Sequence, residues 1–159
     1  MHGYKNFIRF LPGPQSYCKC TSLCSQVTVE HVIPKSLIKS SGLAKGCAND
    51  LHNLYPCCSK LNGDKGSKIF GKDFVFNTDY SNHTGALARA SLYMYDKYEL
   101  PIDKKTVALW RVLDKVYVPE EFEIIRNNMI YDITKTDNNY LINHFIKEQE
   151  QEGYGYGHD

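Results

Sequence analysis

The apolar positions change period along the chain, and the changes mark out its elements. Residues 27–33, Val-Thr-Val-Glu-His-Val-Ile, alternate and are rich in β-branched side chains, which predicts a strand ended by Pro34. Residues 39–49 form a loop of small residues around Ser40-Ser41-Gly42 and Gly46, and residues 50–54 predict a second short strand returning beside the first. Over residues 57–66 the local signal is a turn, because Asn62-Gly63 is a common hairpin dipeptide. Residues 74–80 suit an exposed strand or loop. From Thr84 the period becomes helical: Leu87, Ala90, Ser91, Met94 and Tyr98 recur at spacings of three and four, with Thr84 as N-cap and Pro101 closing the segment. Asp103 caps the next helix, whose apolar face is Val107, Trp110 and Leu113. Pro119, Glu120 and Glu121 start another, running through Phe122, Ile125 and Met129 to about Ile133 with that stripe in the core. Residues 140–151 predict a last amphipathic helix.

Composition narrows the class. A chain of 159 residues with 42% apolar and 13% aromatic content fits one folded domain with a genuine core. The expected division is an N-terminal extension over 1–16, a domain over 17–152 and a tail over 153–159. No apolar run approaches the roughly 18 residues of a membrane span. The apolar run in residues 1–11 is too short for a signal peptide. A formal charge of +1 excludes a generally basic nucleic-acid binder, so any binding field is local. Lys60, Lys65, Lys68 and Lys72, clustered around Asn62, are the best candidates.

Six cysteines, Cys18, Cys20, Cys24, Cys47, Cys57 and Cys58, permit up to three disulfides. They lack the paired Cys-x2-Cys knuckle of a good zinc signature. Disulfides, a structural Zn²⁺ and buried thiols all stay open, and nothing in the sequence assigns partners.

The chemistry concentrates in Glu30-His31, Asn53 and Asn62. Glu30 and Asn62 offer hard oxygens, which suit Mg²⁺, or another divalent cation such as Mn²⁺ or Ca²⁺, better than zinc. His31 is the side chain suited to move a proton near neutral pH. Asn53 is placed to accept a hydrogen bond from one imidazole nitrogen and fix which nitrogen acts. One difficulty is geometric: on an ideal strand Glu30 and His31 point to opposite faces, so the strand must end, twist or bulge there. His52 reads as structural. Arg89 has two readings, a surface salt bridge and a phosphate contact.

These residues also carry a resemblance. Glu30-His31-Val-x-Pro34, then Asp50-Leu51-His52-Asn53-Leu54-x-Pro56, then Asn62-Gly63-Asp64, resembles the core of the endonuclease I family. Tyr17-Cys18-x-Cys20 and the segment from Gly85 through Arg89 to Tyr93-Met94 are similar to its flanking signatures. Trp110, Asp114, Glu121, Arg126-Asn127 and Asn138-Asn139-Tyr140-Leu141-Ile142 follow in the family's order, so the likeness covers roughly residues 17–143.

The resemblance implies an α+β fold: a small ββα-metal (His-Me finger, HNH-like) core packed against several helices. It implies a short helix over 57–66 with Gly63 and Gly66 near its end. It also implies a Mg²⁺-dependent endonuclease acting on DNA, with RNA open, showing little sequence preference and leaving 5′-phosphates. Glu30 and Asn62 would bind the metal, His31 would be the base and Arg89 would assist. No membrane and no obligatory protein partner is called for. The family is secreted or periplasmic, whereas the weak N-terminal signal points to an intracellular or viral setting or to a leader outside the sequence.

Two departures stand out. The family's Gly-Gly-Arg-Lys segment reads Gly42-Leu43-Ala44-Lys45-Gly46 here, and its Asn-Gly-Asp-Arg ends in Lys65. Lysine keeps the charge but loses the bidentate fork. The rival from another class is a cysteine-stabilised nucleic-acid-binding module without catalysis. A zinc nucleobase deaminase is rejected, because His-x-Glu and Pro-Cys-x-x-Cys are both missing.

Overall fold

The computed structural model describes residues 27–74 and 81–153. Strands β1 (Val27–His31) and β2 (Leu54–Cys58) pair antiparallel, with Val29 opposite Pro56 and His31 opposite Leu54. A two-stranded ribbon tolerates Pro56, since each strand keeps one open edge where a missing N–H costs little. Between the strands lie α1 (Lys35–Ser40) and two 3₁₀ turns, Lys45–Asn49 and Leu51–Asn53. Helix α2 (Ser59–Lys65) leaves β2 directly and packs on both strands. Four longer helices follow: α3 (Ser81–Tyr98), α4 (Lys104–Val116), α5 (Glu121–Thr134) and α6 (Asn139–Gly153). The architecture is mixed α and β, and among the described residues no helix is long and apolar enough to cross a membrane.

Several boundaries differ from the sequence reading. The first strand stops at His31, two residues early, because Asn53 takes over its continuation: Val32 N donates to the Asn53 carbonyl and Ile33 N to Asn53 Oδ1. The second strand begins at Leu54, where it was expected to end. Asp50 Oδ1 accepts from His52 N at 3.0 Å, which caps a 3₁₀ turn over the preceding residues. Residues 54–58 are all buried, so they carry no alternation to read. Helix α1 is too short to show a period. Helix α2 forms across Asn62-Gly63 as the resemblance implied, and Gly66 ends it at φ +52°, a left-handed conformation that glycine adopts without strain.

The core gathers Val32 and Ile33 just after β1 and Ile38 of α1 with Leu87, Leu92 and Met94 of α3 and Trp110 of α4. Trp110 Nε1 donates to the Phe70 carbonyl at 2.9 Å. Asp103 caps α4 as expected, accepting from Thr106 N at 3.0 Å. The start of α3 lies against Tyr117 so closely that a Cβ on Gly85 would sit 2.7 Å from Tyr117 Cβ; only glycine fits. Helix α5 keeps only part of its expected inward stripe: Met129 packs against buried Leu51, Leu54 and Ile130. Ile125 is exposed, and the face turned inward is Glu123, Arg126, Asn127 and Ile130. Its polar residues go inside because their partners are there: Glu123 meets Arg89, and Arg126 caps the carbonyls of Leu51 and Leu54 while lying on the Tyr55 ring.

His52 is structural, as expected, with Nε2 3.1 Å from the Thr136 carbonyl. Burial pulls its imidazole below the ordinary value, and the Thr136 bond restores only part. The unfolded chain therefore binds a proton that the fold refuses, so this contribution is complete above the unfolded pKa of about 6.5 and declines as pH falls below it. Urea unfolding at about pH 7.5 and 5.5 should show lower stability in acid, by at most about 1.4 kcal/mol per pH unit for one proton. His52→Gln should shrink the difference; an unchanged difference would remove His52 as its source.

Candidate active site

The end of β1 resolves the geometric difficulty. Because the strand stops at His31, Glu30 and His31 both reach one open cavity of about 300 Å³, which Asn62, Pro34, Lys35 and Ser36 also line. Helix α2 brings Asn62 to it. The Asn62 amide nitrogen donates to Thr28 Oγ1 at 2.9 Å and to the Val29 carbonyl at 3.1 Å. A main-chain carbonyl can only accept, so the orientation is fixed and Asn62 Oδ1 is the oxygen left to the cavity. Three of the expected site residues thus share one wall.

Asn53 is close but acts differently from expectation. Its Oδ1 accepts from Ile33 N at 2.7 Å, and its Nδ2 donates to the carbonyls of Ile33 (3.2 Å) and Ala48 (3.1 Å). The carboxamide grips the main chain two residues beyond His31 instead of the imidazole. It positions His31 through the backbone.

Two basic residues are corrected more sharply. Lys65, expected on a DNA-facing surface, is buried, with Nζ 2.6 Å from Glu30 Oε1 and 3.0 Å from the His31 carbonyl. Burial pushes the Glu30 carboxyl above its ordinary value, and the Lys65 ammonium pulls it back only in part. Arg89, expected at a phosphate or on the surface, lies in the core at 1% exposure. Its Nε and Nη2 donate to the two Glu123 oxygens at 2.7 and 2.6 Å, and Nη1 to Asp114 and to the Tyr117 carbonyl. It does not line the cavity.

The remaining lysines are exposed but unevenly engaged. Lys60 pairs with Asp64 one turn on at 3.0 Å, Lys68 donates to the Asp64 carbonyl at 2.9 Å, and Lys72 stands 3.5 Å from Asp103. Lys45 is exposed at the start of its 3₁₀ turn. The lysine that does line the cavity, Lys35, escapes the sequence reading. Its signal is its place immediately after the Glu-His-x-x-Pro stretch.

Cys57 and Cys58 are buried in β2 and Cys47 is half-buried; no disulfide joins two described residues. Cys18, Cys20 and Cys24 lie outside the described residues, as do the N-terminal extension, residues 75–80 and the tail beyond Gly153. Among the described residues no three His, Cys, Asp or Glu side chains form a metal cluster.

No protein-family model matches the chain. Curated relatives do. An Endonuclease-1 from Buchnera aphidicola subsp. Acyrthosiphon pisum is 24% identical over 156 residues, which cover 78% of this chain and 62% of the relative. An Endonuclease-1 from Buchnera aphidicola subsp. Baizongia pistaciae is 26% identical, covering 77% and 64%. An extracellular deoxyribonuclease from Aeromonas hydrophila is 25% identical, covering 83% and 70%. The likeness is to nucleases. The chain spans less than two thirds of the length of the two Endonuclease-1 relatives.

Proposed function

We propose that this chain is a divalent-metal-dependent endonuclease hydrolysing phosphodiester bonds in DNA with little sequence preference. The observation that carries the reading is the cavity shared by Glu30, His31 and Asn62. The relatives' names point the same way. The donor types fit a hard cation: Glu30 and Asn62 line one space and offer a carboxylate and a carboxamide oxygen, and Mg²⁺ accepts few protein ligands because it keeps its waters. Glu30 and Asn62 would hold Mg²⁺, or Mn²⁺ or Ca²⁺. When bound, the ion supplies charge stabilisation at a phosphate oxygen and at the leaving 3′-oxygen.

The chain's own residues do the rest. His31 takes the proton from the attacking water, and departure of the 3′-oxygen, which the family resemblance implies, leaves a 5′-phosphate. Asn53 holds the backbone that aims His31. Lys35 and Ser36 at the cavity meet the sugar–phosphate backbone, which carries no sequence information, and RNA falls within the same chemistry. Plasmid relaxation with and without EDTA tests the function: cleavage with Mg²⁺ that chelation stops is expected, and no cleavage with Mg²⁺, Mn²⁺ or Ca²⁺ overturns it.

The ligand assignment has its own test. Glu30→Ala and Asn62→Ala should each weaken Mg²⁺ binding, since two protein ligands leave no redundancy. Raising Mg²⁺ should rescue Asn62→Ala, which loses a neutral ligand, better than Glu30→Ala. Unchanged calorimetric affinity in both would show a misassignment. The buried Lys65–Glu30 pair favours one rival, a binding module without catalysis; tight DNA binding with no cleavage under every metal would establish it.

A further inference from the structure

Lys65 has no part in the metal-dependent reading, and its geometry against Glu30 gives it one. Both side chains are almost wholly removed from solvent, at 0% and 3% exposure. Lys65 is therefore too deeply covered to touch a substrate. Nor is such a pair chiefly a stabilising device, because desolvating two charges cancels most of their attraction. Lys65 follows Asn62 by three positions on α2, so the two share a helix face. The helix that carries the neutral ligand also carries a cation to the same carboxylate. Lys65 Nζ bridges Glu30 Oε1 and the His31 carbonyl, spanning the two residues on which the chemistry depends.

We propose that Lys65 is the built-in counter-cation of Glu30 and sets the divalent affinity of the Glu30–Asn62 pair by competing for its carboxylate. This rests on the metal-dependent reading above. Without metal, the ammonium fixes the carboxylate beside the cavity. A divalent ion must then share that carboxylate with a positive charge a few ångströms away, in surroundings that screen poorly. Its affinity is held below what two oxygen ligands would otherwise give.

The test is calorimetric titration of the full chain with MnCl₂, with no nucleic acid present. Lys65→Met removes the charge and keeps the length of the side chain. It should bind Mn²⁺ at least about tenfold more tightly than wild type. Lys65→Arg, which keeps the charge, should stay near wild type. Added Mn²⁺ should also raise the melting temperature of Lys65→Met more than that of wild type, because the ion replaces the missing partner. Should Lys65→Met fail to fold, the wild-type protein still decides. The ¹⁵Nζ resonance of the buried Lys65 ammonium should shift saturably with MgCl₂, in step with calorimetric binding.

Metal binding that Glu30→Ala abolishes but Lys65→Met leaves unchanged or weakens would overturn the competition alone. Binding with no change at the Lys65 ammonium would do the same. No Mn²⁺ or Mg²⁺ binding by any form would instead remove the metal reading itself, and this inference with it.

Discussion

His31→Ala is expected to slow metal-dependent DNA cleavage by about 10²- to 10⁴-fold, the range general-base catalysis contributes. DNA affinity should stay unchanged. The expectation follows from how the imidazole is held. His31 ends β1 paired with Leu54, Lys65 grips its carbonyl at 3.0 Å, and Asn53 fixes Val32 and Ile33 beyond it. The main chain on both sides is pinned by groups that the substitution leaves in place, so alanine removes the proton acceptor without releasing the backbone. Plasmid relaxation under single-turnover conditions, beside a binding titration, separates the two effects. Cleavage at the wild-type rate would end the general-base assignment.

The second large effect concerns folding. Arg89→Ala should destabilise the protein by about 3–5 kcal/mol, because it strands the buried Glu123 carboxylate that the guanidinium neutralises. Glu123 takes both prongs of the fork, and Asp114 takes a third donor while also meeting His144 at 2.8 Å. A lysine in place of this arginine would supply a charge without the planar fork, so Arg89→Lys should recover only part of the loss. Urea unfolding measures both. A variant that melts like wild type yet fails to cleave DNA would return Arg89 to the catalytic machinery from which its burial removes it.

Arg89 and Lys65 also show where sequence reading runs out. The period of Val27–His31, the Asp103 cap and the helical spacing from Leu87 to Met94 are local facts, and each reappears in the fold. The Glu30-His31 and Asn62 pieces are legible as chemistry because their residue types are scarce together. Burial of a lysine or arginine is instead a property of a pair. Lys65 meets Glu30 from 35 positions away and Arg89 meets Glu123 from 34, so neither stretch alone announces a buried cation. The same holds for α5, whose apolar stripe suggests one inward face while its charged residues have partners on another. Asn53 is legible as part of the site but not in its choice of partner, since a spacing rule does not reveal that the main chain competes for the carboxamide.

The grip of Arg126 on the carbonyls of Leu51 and Leu54 has a consequence for anyone seeking the smallest working piece of this protein. The strand–strand–helix hairpin is not self-supporting. Cut out as residues 27–66, it would bare Ile33, Ile38 and Cys57, and would strip Asp50 of Lys97 and Tyr98. The segment between the strands, which holds the main chain beyond His31 through Asn53, is moored by side chains from α3 and α5. Asn138, beyond α5, in turn bonds back to the Arg89 carbonyl. A transplanted or miniaturised version must therefore carry the helices as far as Asn138, although none of them contributes a residue to the cavity.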